Sequence, residues 1–155
     1  MITIRKNPNG DTRTASKDVT FKEFQEANDM HRQDVRNVMN DIALQIMLQG
    51  EKHDYTKKDY LEKMFYDDFK NTLNNGSNFV EGKWYKCHIY NEKHHPLSYC
   101  HEDITLLDII EMVVDCVCAG KSRSGEVREL EISDEILKLA LDNTVKYVDN
   151  ITNCE

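Results

Sequence analysis

The six histidines of this 155-residue chain are not evenly spread along it. His53 and Asp54 are adjacent, and four further histidines follow within residues 88–101. Imidazole nitrogens and carboxylate oxygens are among the ligands that divalent metal ions use in proteins. An upstream histidine, His31, and a distal carboxylate, Asp115, would complete such a set. The pattern therefore predicts a metal site formed by His31, His53, Asp54 and Asp115.

A divalent cation at this site would favour the hydrolysis of a phosphate ester. Nitrogen and oxygen donors together suit Mn, Fe, Co, Ni, Zn or Mg, with positions left for water. The bound cation would lower the pKa of that water and supply hydroxide for attack on phosphorus. Simpler interpretations remain open: His31 as a hydrogen-bonded core histidine, and His53 with Asp54 as a salt bridge at a helix end. Asp115 favours the metal site, because its apolar neighbours would make an unpartnered carboxylate costly.

The downstream histidines form a second candidate group. His88, His94 and His95 have the residue type to bind either a second metal ion or the phosphate of a substrate. They could equally well be structural residues held by hydrogen bonds, and the sequence does not separate these alternatives. His101 precedes a predicted helix, which favours a capping or solvent-exposed role. We take His88, His94 and His95 as candidate substrate-binding residues.

Three cations complete the predicted site. Lys57 lies three residues after Asp54, so that its ammonium could stabilise charge on a phosphoryl oxygen, and we predict Asp54 and Lys57 as catalytic residues. Lys121 and Arg123 lie in a charged segment that could close over an anionic substrate. Both would otherwise be ordinary solvated side chains.

Composition narrows the class of protein. Hydrophobic residues make up 39% and charged residues 31%, which is typical of a globular chain. The net charge of −8 disfavours a nonspecific nucleic-acid binder. No apolar run has the length of a membrane span and no secretory segment is evident, so that we expect a cytoplasmic protein. Five cysteines without Cys-x-x-Cys spacing favour neither a disulfide framework nor a zinc knuckle.

Hydrophobic periodicity and helix-end signals predict an all-α protein. We expect an N-terminal extended arm or hairpin at 1–19 and one helical domain at 20–155. The predicted helices cover about 20–49, 57–74, 79–92, 103–119 and 133–150. Thr20 and Glu23 form a capping-box pattern at the start of the first helix. Gly50 and Gly120 are predicted to end the first and fourth helices.

The periodicity also predicts which faces are buried. On the first helix, His31 shares a face with apolar residues and is expected to point into the core. On the fourth helix, Glu111 and Asp115 lie on one stripe, beside an apolar stripe that includes Ile110 and Val114. The helices would thus bring a histidine and a carboxylate to the His53–Asp54 pair.

These motifs resemble the HD-domain superfamily of metal-dependent phosphohydrolases. His31, His53-Asp54-x-x-Lys57 and Asp115 look like its signature. The pair His94-His95 is similar to one found in cyclic-dinucleotide phosphodiesterases of that superfamily. More narrowly, His-Asp-x-[Ser/Thr]-Lys, His88-x-x-Asn91-x-x-His94-His95-Pro96 and Asp108-x-x-Glu111-Met112-x-x-Asp115 resemble a group of small HD-like proteins common in bacteriophages and prophages.

The resemblance implies an HD-like helical bundle of about five to six helices with a metal at His31, His53, Asp54 and Asp115. It implies a phosphohydrolase that acts on a nucleotide or a related phosphate ester. The alternative is a noncatalytic phage accessory protein that binds or sequesters a nucleotide or a host partner. A helical interaction protein without a metal, and a homo-oligomer, are also compatible with the sequence.

Overall fold

The computed structural model describes residues 1–58 and 61–155, and this part of the chain is 66% helical. The five α-helices described are α1 (Phe21–Lys52), α2 (Glu62–Asn75), α3 (Lys83–Asn91), α4 (Leu106–Arg123) and α5 (Asp134–Ile151). Two short strands, β1 (Ile2–Ile4) and β2 (Thr152–Cys154), form a parallel pair. The predicted all-α class is confirmed. Among the described residues, no helix combines the length and apolarity needed to cross a membrane.

The chain divides into two compact units. The first unit contains residues 1–45 and 145–155, and the second contains residues 46–144. Helices α1 and α5 therefore each contribute residues to both units. Every residue of the candidate site described below belongs to the second unit.

The first unit joins the two ends of the chain. Strand β1 pairs with β2 in a register that sets Ile2 opposite Thr152. The predicted extended arm is therefore present, but the hairpin alternative is wrong. The turn signal around Pro8 forms a 3-10 turn at Pro8–Gly10, and β1 takes its hydrogen-bonding partner from the C-terminal strand instead.

A salt bridge fastens the N-terminal arm to α1 within this unit. The backbone N and the Nε of Arg5 each donate to the Asp34 carboxylate at 3.0 Å, one to each oxygen. The Arg5 Nη2 also donates to the same carboxylate, at 2.5 Å. These bonds hold the pKa of Asp34 below its usual value. Asp34 is buried, and both of its oxygens are satisfied.

Helix α1 starts as predicted but ends later. Thr20 and Glu23 exchange capping-box hydrogen bonds, with the Thr20 N–H donating to the Glu23 carboxylate at 2.8 Å. The predicted end at Gly50 is wrong, because Gly50 does not adopt a left-handed conformation and the helix continues to Lys52. The prediction that His31 points into the core is also wrong, since His31 is exposed.

Helix α4 also runs past its predicted end. Thr105 and Asp108 form a capping box at its start, and the helix continues through Gly120 to Arg123. Gly120 serves close packing rather than termination, because a Cβ there would lie 2.5 Å from the carbonyl oxygen of Glu126. The longer helix carries Arg123 to the cavity described below.

The core of the second unit uses a different face of α4 from the one predicted. Its buried members are Ile104, Ile109, Met112 and Ala140. Ile110 and Val114, assigned to the core stripe from the sequence, are 44% and 55% exposed. The predicted apolar stripe is therefore wrong at these two positions, whereas its first member, Leu107, is buried.

The described residues between α1 and α3 include two 3-10 turns, and the second lies where α-helix was predicted. A 3-10 turn at Tyr55–Lys57 follows α1, and α2 begins at Glu62. Residues 59 and 60, predicted as part of this helix, lie outside the described residues. A second 3-10 turn at Phe79–Glu81 precedes α3, so that the predicted helix 79–92 starts at Lys83 and ends at Asn91.

Candidate metal centre

Asp54 lies in a strained turn directly after α1. Its backbone has φ 56° and ψ 32°, the left-handed conformation, and it is the one such non-glycine residue in the described chain. Short polar side chains tolerate this conformation better than others, and functional sites often retain such strain. The Asp54 carbonyl oxygen accepts from the Lys57 N–H at 2.8 Å, and the two side chains form an ion pair. The turn therefore aims the Asp54 carboxylate into the second unit.

One carboxylate oxygen of Asp54 faces two imidazoles, and a third imidazole lies beside them. The Nε2 atoms of His88 and His94 lie 3.6 Å and 3.7 Å from Asp54 Oδ1. His95 Nε2 lies 2.7 Å from His88 Nε2. Each of these four residues offers a ligand atom, and all four atoms lie within 4.8 Å of one another. The arrangement brings three nitrogen donors and one oxygen donor to a single point.

The other carboxylate oxygen of Asp54 faces a second group. His53 Nε2 lies 3.3 Å from Asp54 Oδ2 and 3.5 Å from Asp115 Oδ1. His53, His94 and Asp115 also offer three ligand atoms within 4.8 Å of one another. Asp54 therefore contacts both groups, and His94 is common to them.

Two atoms at the centre of this cluster have no hydrogen-bond partner within the described part of the chain. Asp54 Oδ1 and His94 Nε2 are both buried, and they lie 3.7 Å apart, too far for a hydrogen bond. A buried polar atom without a partner costs about 1–3 kcal/mol, and more when it is charged. Because both atoms point at the same region, a cation bound between them would satisfy both. The donor set of imidazole nitrogens and carboxylate oxygens fits a divalent metal ion.

The Glu111 carboxylate orients the imidazoles of His53 and His94 through their Nδ1 atoms. Its Oε1 lies 2.9 Å from His53 Nδ1 and 3.2 Å from His94 Nδ1. Since a carboxylate accepts, both Nδ1 atoms donate to it. The Nε2 atoms of both rings therefore face Asp54. Histidine ligands in metalloproteins usually donate their second nitrogen to such a partner.

A buried relay orients His88 in the same way. Thr56 is fully buried, and its hydroxyl donates to Glu92 Oε1 at 3.0 Å. The same hydroxyl oxygen lies 2.6 Å from His88 Nδ1 and accepts from it. This direction of donation leaves the lone pair of His88 on Nε2, which faces Asp54. Trp84 supports the relay, since its Nε1 donates to the Thr56 carbonyl oxygen at 2.8 Å and its ring stacks on His88.

The electrostatic surroundings raise the pKa of one histidine of the cluster and lower the pKa of two others. Burial lowers the pKa of His94, but the carboxylates of Asp54 and Glu111 outweigh burial and raise that pKa to about 9. Burial, reinforced by a neighbouring imidazole, lowers the pKa of His88 to about 3 and that of His95 to about 4. His88 and His95 are therefore neutral at pH 7, which is the form that binds metal ions.

The Asp54 carboxylate is ionised in this environment. Burial raises the pKa of Asp54, but the His94 imidazole and the Lys57 ammonium outweigh burial and hold that pKa well below its usual range. The positive charge of His94 thus lies between two carboxylates in this structure. A metal ion would take over that charge-balancing role once His94 lost its proton.

A cavity of about 590 Å³ opens beside the cluster within the second unit. His88, His95 and Asp115 line it together with Lys57 and Arg123. The cluster therefore has access to a space large enough for a small substrate.

The structure brings together most, but not all, of the residues predicted for the site. His53, Asp54 and Asp115 meet as expected, and Lys57 contacts Asp54. The assignment of His31 to the metal site is not supported, because His31 is an exposed residue of the first unit and belongs to neither ligand group.

Of the remaining predicted residues, some lie at the site and others lie away from it. His88, His94 and His95, proposed from the sequence for substrate binding, lie instead among the candidate metal ligands. Arg123 lines the cavity, whereas Lys121 is exposed and is not among the lining residues. His101 contacts the Ile89 carbonyl oxygen through Nε2 at 3.2 Å, which is a structural contact outside the ligand groups.

Sequence reasoning did not assign Thr56, Glu92 and Glu111 to the site. Each had a signal: Thr56 lies within the His-Asp-Tyr-Thr-Lys string, and Glu92 follows His88 by four residues. Glu111 lies one turn before Asp115 on α4. These positions provide the partners that orient histidine rings, a role that spacing along the chain does not reveal.

The fold and the cluster define an all-α protein with a buried site rich in histidine and carboxylate groups. Residues 20–153 match a family of unknown function, DUF5662, and the chain belongs to that family. A search of curated proteins and a search of solved structures each found no match.

Proposed function

We propose that this protein is a metal-dependent phosphohydrolase that acts on a nucleotide or a related phosphate ester. The observation that supports this most is the pair of buried, unpartnered atoms Asp54 Oδ1 and His94 Nε2 at the focus of the cluster. The motif resemblance to the HD-domain superfamily supports the same assignment. Mn, Co, Ni, Fe, Zn and Mg are the candidate ions for these donors.

The chain offers ligands for one cation, or for two that share Asp54. Asp54, His88, His94 and His95 would hold the first, and His53 and Asp115 would contribute on the other side of the Asp54 carboxylate. When bound, a divalent cation supplies Lewis acidity and lowers the pKa of a coordinated water. Glu111 and the Thr56 relay would keep the imidazole Nε2 atoms directed at it.

Two cations of the chain fit the role of phosphate binding. Lys57 and Arg123 line the cavity beside His88, His95 and Asp115. A guanidinium can bind two phosphate oxygens at once, and an ammonium acts as a point charge. Lys57, already paired with Asp54, would stabilise charge that develops on the phosphoryl oxygens.

We further propose a small phosphorylated substrate in the cytoplasm, or in the host cytoplasm if the chain is phage-encoded. The net charge of −8 disfavours a long nucleic acid, because that substrate would be repelled away from the site. A metal ion would reverse the local charge for a small anion.

The direct test is phosphate release from a panel of nucleotides with added Mn, Co or Mg. We expect metal-dependent turnover that is lost in EDTA and in Asp54→Asn. Asp67→Asn, which changes an exposed carboxylate on α2, provides the matched control and is expected to retain activity. Turnover that survives both EDTA and Asp54→Asn would contradict the proposal.

The ion pair between Lys57 and Asp54 favours one alternative, a noncatalytic module that binds or sequesters a nucleotide. In this arrangement the ammonium competes with a cation for the carboxylate. A tightly bound nucleotide that is recovered intact, in the presence of metal, would support this alternative.

A further inference from the structure

The cavity beside the cluster has two chemically distinct ends. Its polar end carries Lys57, His88, His95, Asp115 and Arg123, and its apolar wall carries Phe65, Phe69, Leu73, Phe79, Trp84 and Tyr85. Its volume of about 590 Å³ falls within the range of small-molecule pockets. Such pockets typically join an apolar wall to a few polar groups that fix orientation. The polar end already has an assigned role in the proposed function, whereas the apolar wall does not.

The apolar wall is a packed cluster of rings. The ring centroids of Phe65 and Trp84 are 4.2 Å apart, and those of Phe79 and Trp84 are 5.7 Å apart. Tyr85 joins the cluster through Phe79 at 5.9 Å. Because these rings support one another, the wall is preformed and needs little ordering when a ligand binds.

The aromatic wall continues directly into the candidate metal centre. The Trp84 ring stacks on the His88 imidazole, with centroids 4.7 Å apart and an interplanar angle of 14°. A ligand held against the wall would therefore place an attached group at the polar end, where His88 and His95 lie. The wall and the cluster are two parts of one cavity.

Large apolar side chains at the rim remain exposed. Phe69 and Leu73 lie one turn apart on α2 and are 46% and 63% exposed. Exposed apolar surface in a concave site indicates a ligand that covers it. A flat ring suits a wall of rings, because aromatic pairs gain energy from offset or edge contacts beyond their buried area.

We infer that this cavity binds the organic part of the substrate, and that this part carries a flat ring, either an aryl group or a nucleobase. The inference rests on the proposed function for the phosphate at the polar end. It names the substrate class as ring-bearing phosphate esters, in preference to ring-free sugar or alkyl phosphates.

The only tryptophan in the chain, Trp84, lines the wall and provides a specific optical signal. We would titrate the full-length protein in EDTA with AMP, benzyl phosphate, ribose 5-phosphate and hexyl phosphate. Trp84 emission would be excited where adenine does not absorb. A ring stacked on aromatic side chains contributes about 1–3 kcal/mol, so that at least one ring-bearing ligand should bind about tenfold more tightly than its ring-free counterpart.

The two ring-bearing ligands distinguish the source of the ring. Preference for AMP would identify a nucleobase, and preference for benzyl phosphate would identify an aryl group. Equal binding of the ring-bearing and ring-free ligands would overturn the inference, as would binding of hexyl phosphate that matches benzyl phosphate.

A variant pair tests whether the wall is responsible. Phe69→Ala removes an exposed ring of the wall and is expected to weaken the ring-bearing ligand about tenfold without changing ribose 5-phosphate binding. Tyr66→Ala removes a ring on the same helix that is 56% exposed and is not among the lining residues. It is expected to bind as the unmodified protein does. An unchanged affinity in Phe69→Ala would contradict the inference.

The titrations in EDTA separate this inference from the proposed function. Phosphate release with Mn tests hydrolysis alone. Absence of release would refute the hydrolase, whereas the ring preference would still be decided by Trp84 emission without metal.

Discussion

Two ion-paired aspartates in this protein have different surroundings. Asp34, in the first unit, accepts hydrogen bonds on both oxygens from Arg5. Asp54, in the second unit, has one oxygen, Oδ1, that finds no hydrogen-bond partner among the described residues, and the neighbouring His94 Nε2 finds none there either. The described chain thus satisfies both oxygens of Asp34 but only one oxygen of Asp54.

The difference separates a structural carboxylate from a candidate ligand. Most buried polar groups in native proteins are hydrogen-bonded, and an exception needs an explanation. At Asp54 the exception coincides with a left-handed backbone and with four histidines. Departures from local stability rules at one place are typical of functional sites. The comparison therefore supports a structural role for Asp34 and the proposed ligand role for Asp54.

The largest expected effect is that of Asp54→Asn. The amide lacks the charge of a carboxylate that belongs to one ligand group and contacts the other, so that metal binding should be lost. The loss of metal-derived stabilisation should lower kcat/KM about a thousandfold, equivalent to several kcal/mol. Calorimetric titration with Mn and phosphate-release kinetics measure these effects. Metal affinity in Asp54→Asn equal to that of the unmodified protein would show that Asp54 is not a ligand.

Glu111→Gln is expected to have the next largest effect. Both Nδ1 atoms contact the same Glu111 oxygen, Oε1, so glutamine keeps an acceptor but loses the negative charge that strengthens both hydrogen bonds. Both rings, His53 and His94, are then held less firmly. Metal affinity should fall about 10–100-fold, as is typical when such a partner is mutated. Glu62→Gln, an exposed position on α2, is the control and should leave the affinity unchanged.

Thr56→Val tests the relay to His88 with a side chain of the same shape. Removal of the hydroxyl leaves His88 Nδ1 and a Glu92 oxygen without this partner. We expect metal affinity to fall about tenfold and the free energy of unfolding to fall by about 1–3 kcal/mol. Thr56→Ser keeps the hydroxyl and should restore the affinity. If serine and valine weaken metal binding equally, the hydroxyl does not orient His88.

The smallest effect on metal binding is expected for Asp34→Asn. The change should leave metal affinity unaltered and should lower the melting temperature, because Arg5 loses its charged partner. The pKa of Asp34 is depressed in the folded state. Its contribution to stability is therefore fully present above the unfolded value of about 3.9 and is lost as the pH falls through the folded value.

Acid unfolding of Asp34→Asn and of the unmodified protein, followed by circular dichroism, checks this pH dependence. The unmodified protein should lose more stability between neutral and acidic pH than the variant. Parallel loss in both proteins would show that the pair with Arg5 contributes nothing in this range.

Local signals in the sequence predicted most of the fold. Caps such as Thr20 with Glu23 are short-range and were found where expected. Glycine misled the interpretation twice, because Gly50 and Gly120 lie inside helices. At Gly120 the cause is the close approach of the Glu126 backbone, a tertiary contact that local sequence does not reveal.

The candidate site was predicted in part for a similar reason. His53, Asp54 and Asp115 were found from residue type and order, and they meet in the structure. His31 was misplaced, because helical periodicity identified a face but not whether anything covers it. The orienting roles of Thr56 and Glu111 depend on contacts between distant segments, which a single sequence does not specify.

The most direct test of the central claim is the metal content of protein purified without a histidine tag. Elemental analysis after incubation with Mn, Co or Zn and removal of free ions measures it for the unmodified protein, Asp54→Asn and Asp34→Asn. We predict stoichiometric metal in the unmodified protein and in Asp34→Asn, and loss of metal in Asp54→Asn. The absence of stoichiometric metal from the unmodified protein, or its retention in Asp54→Asn, would contradict the account.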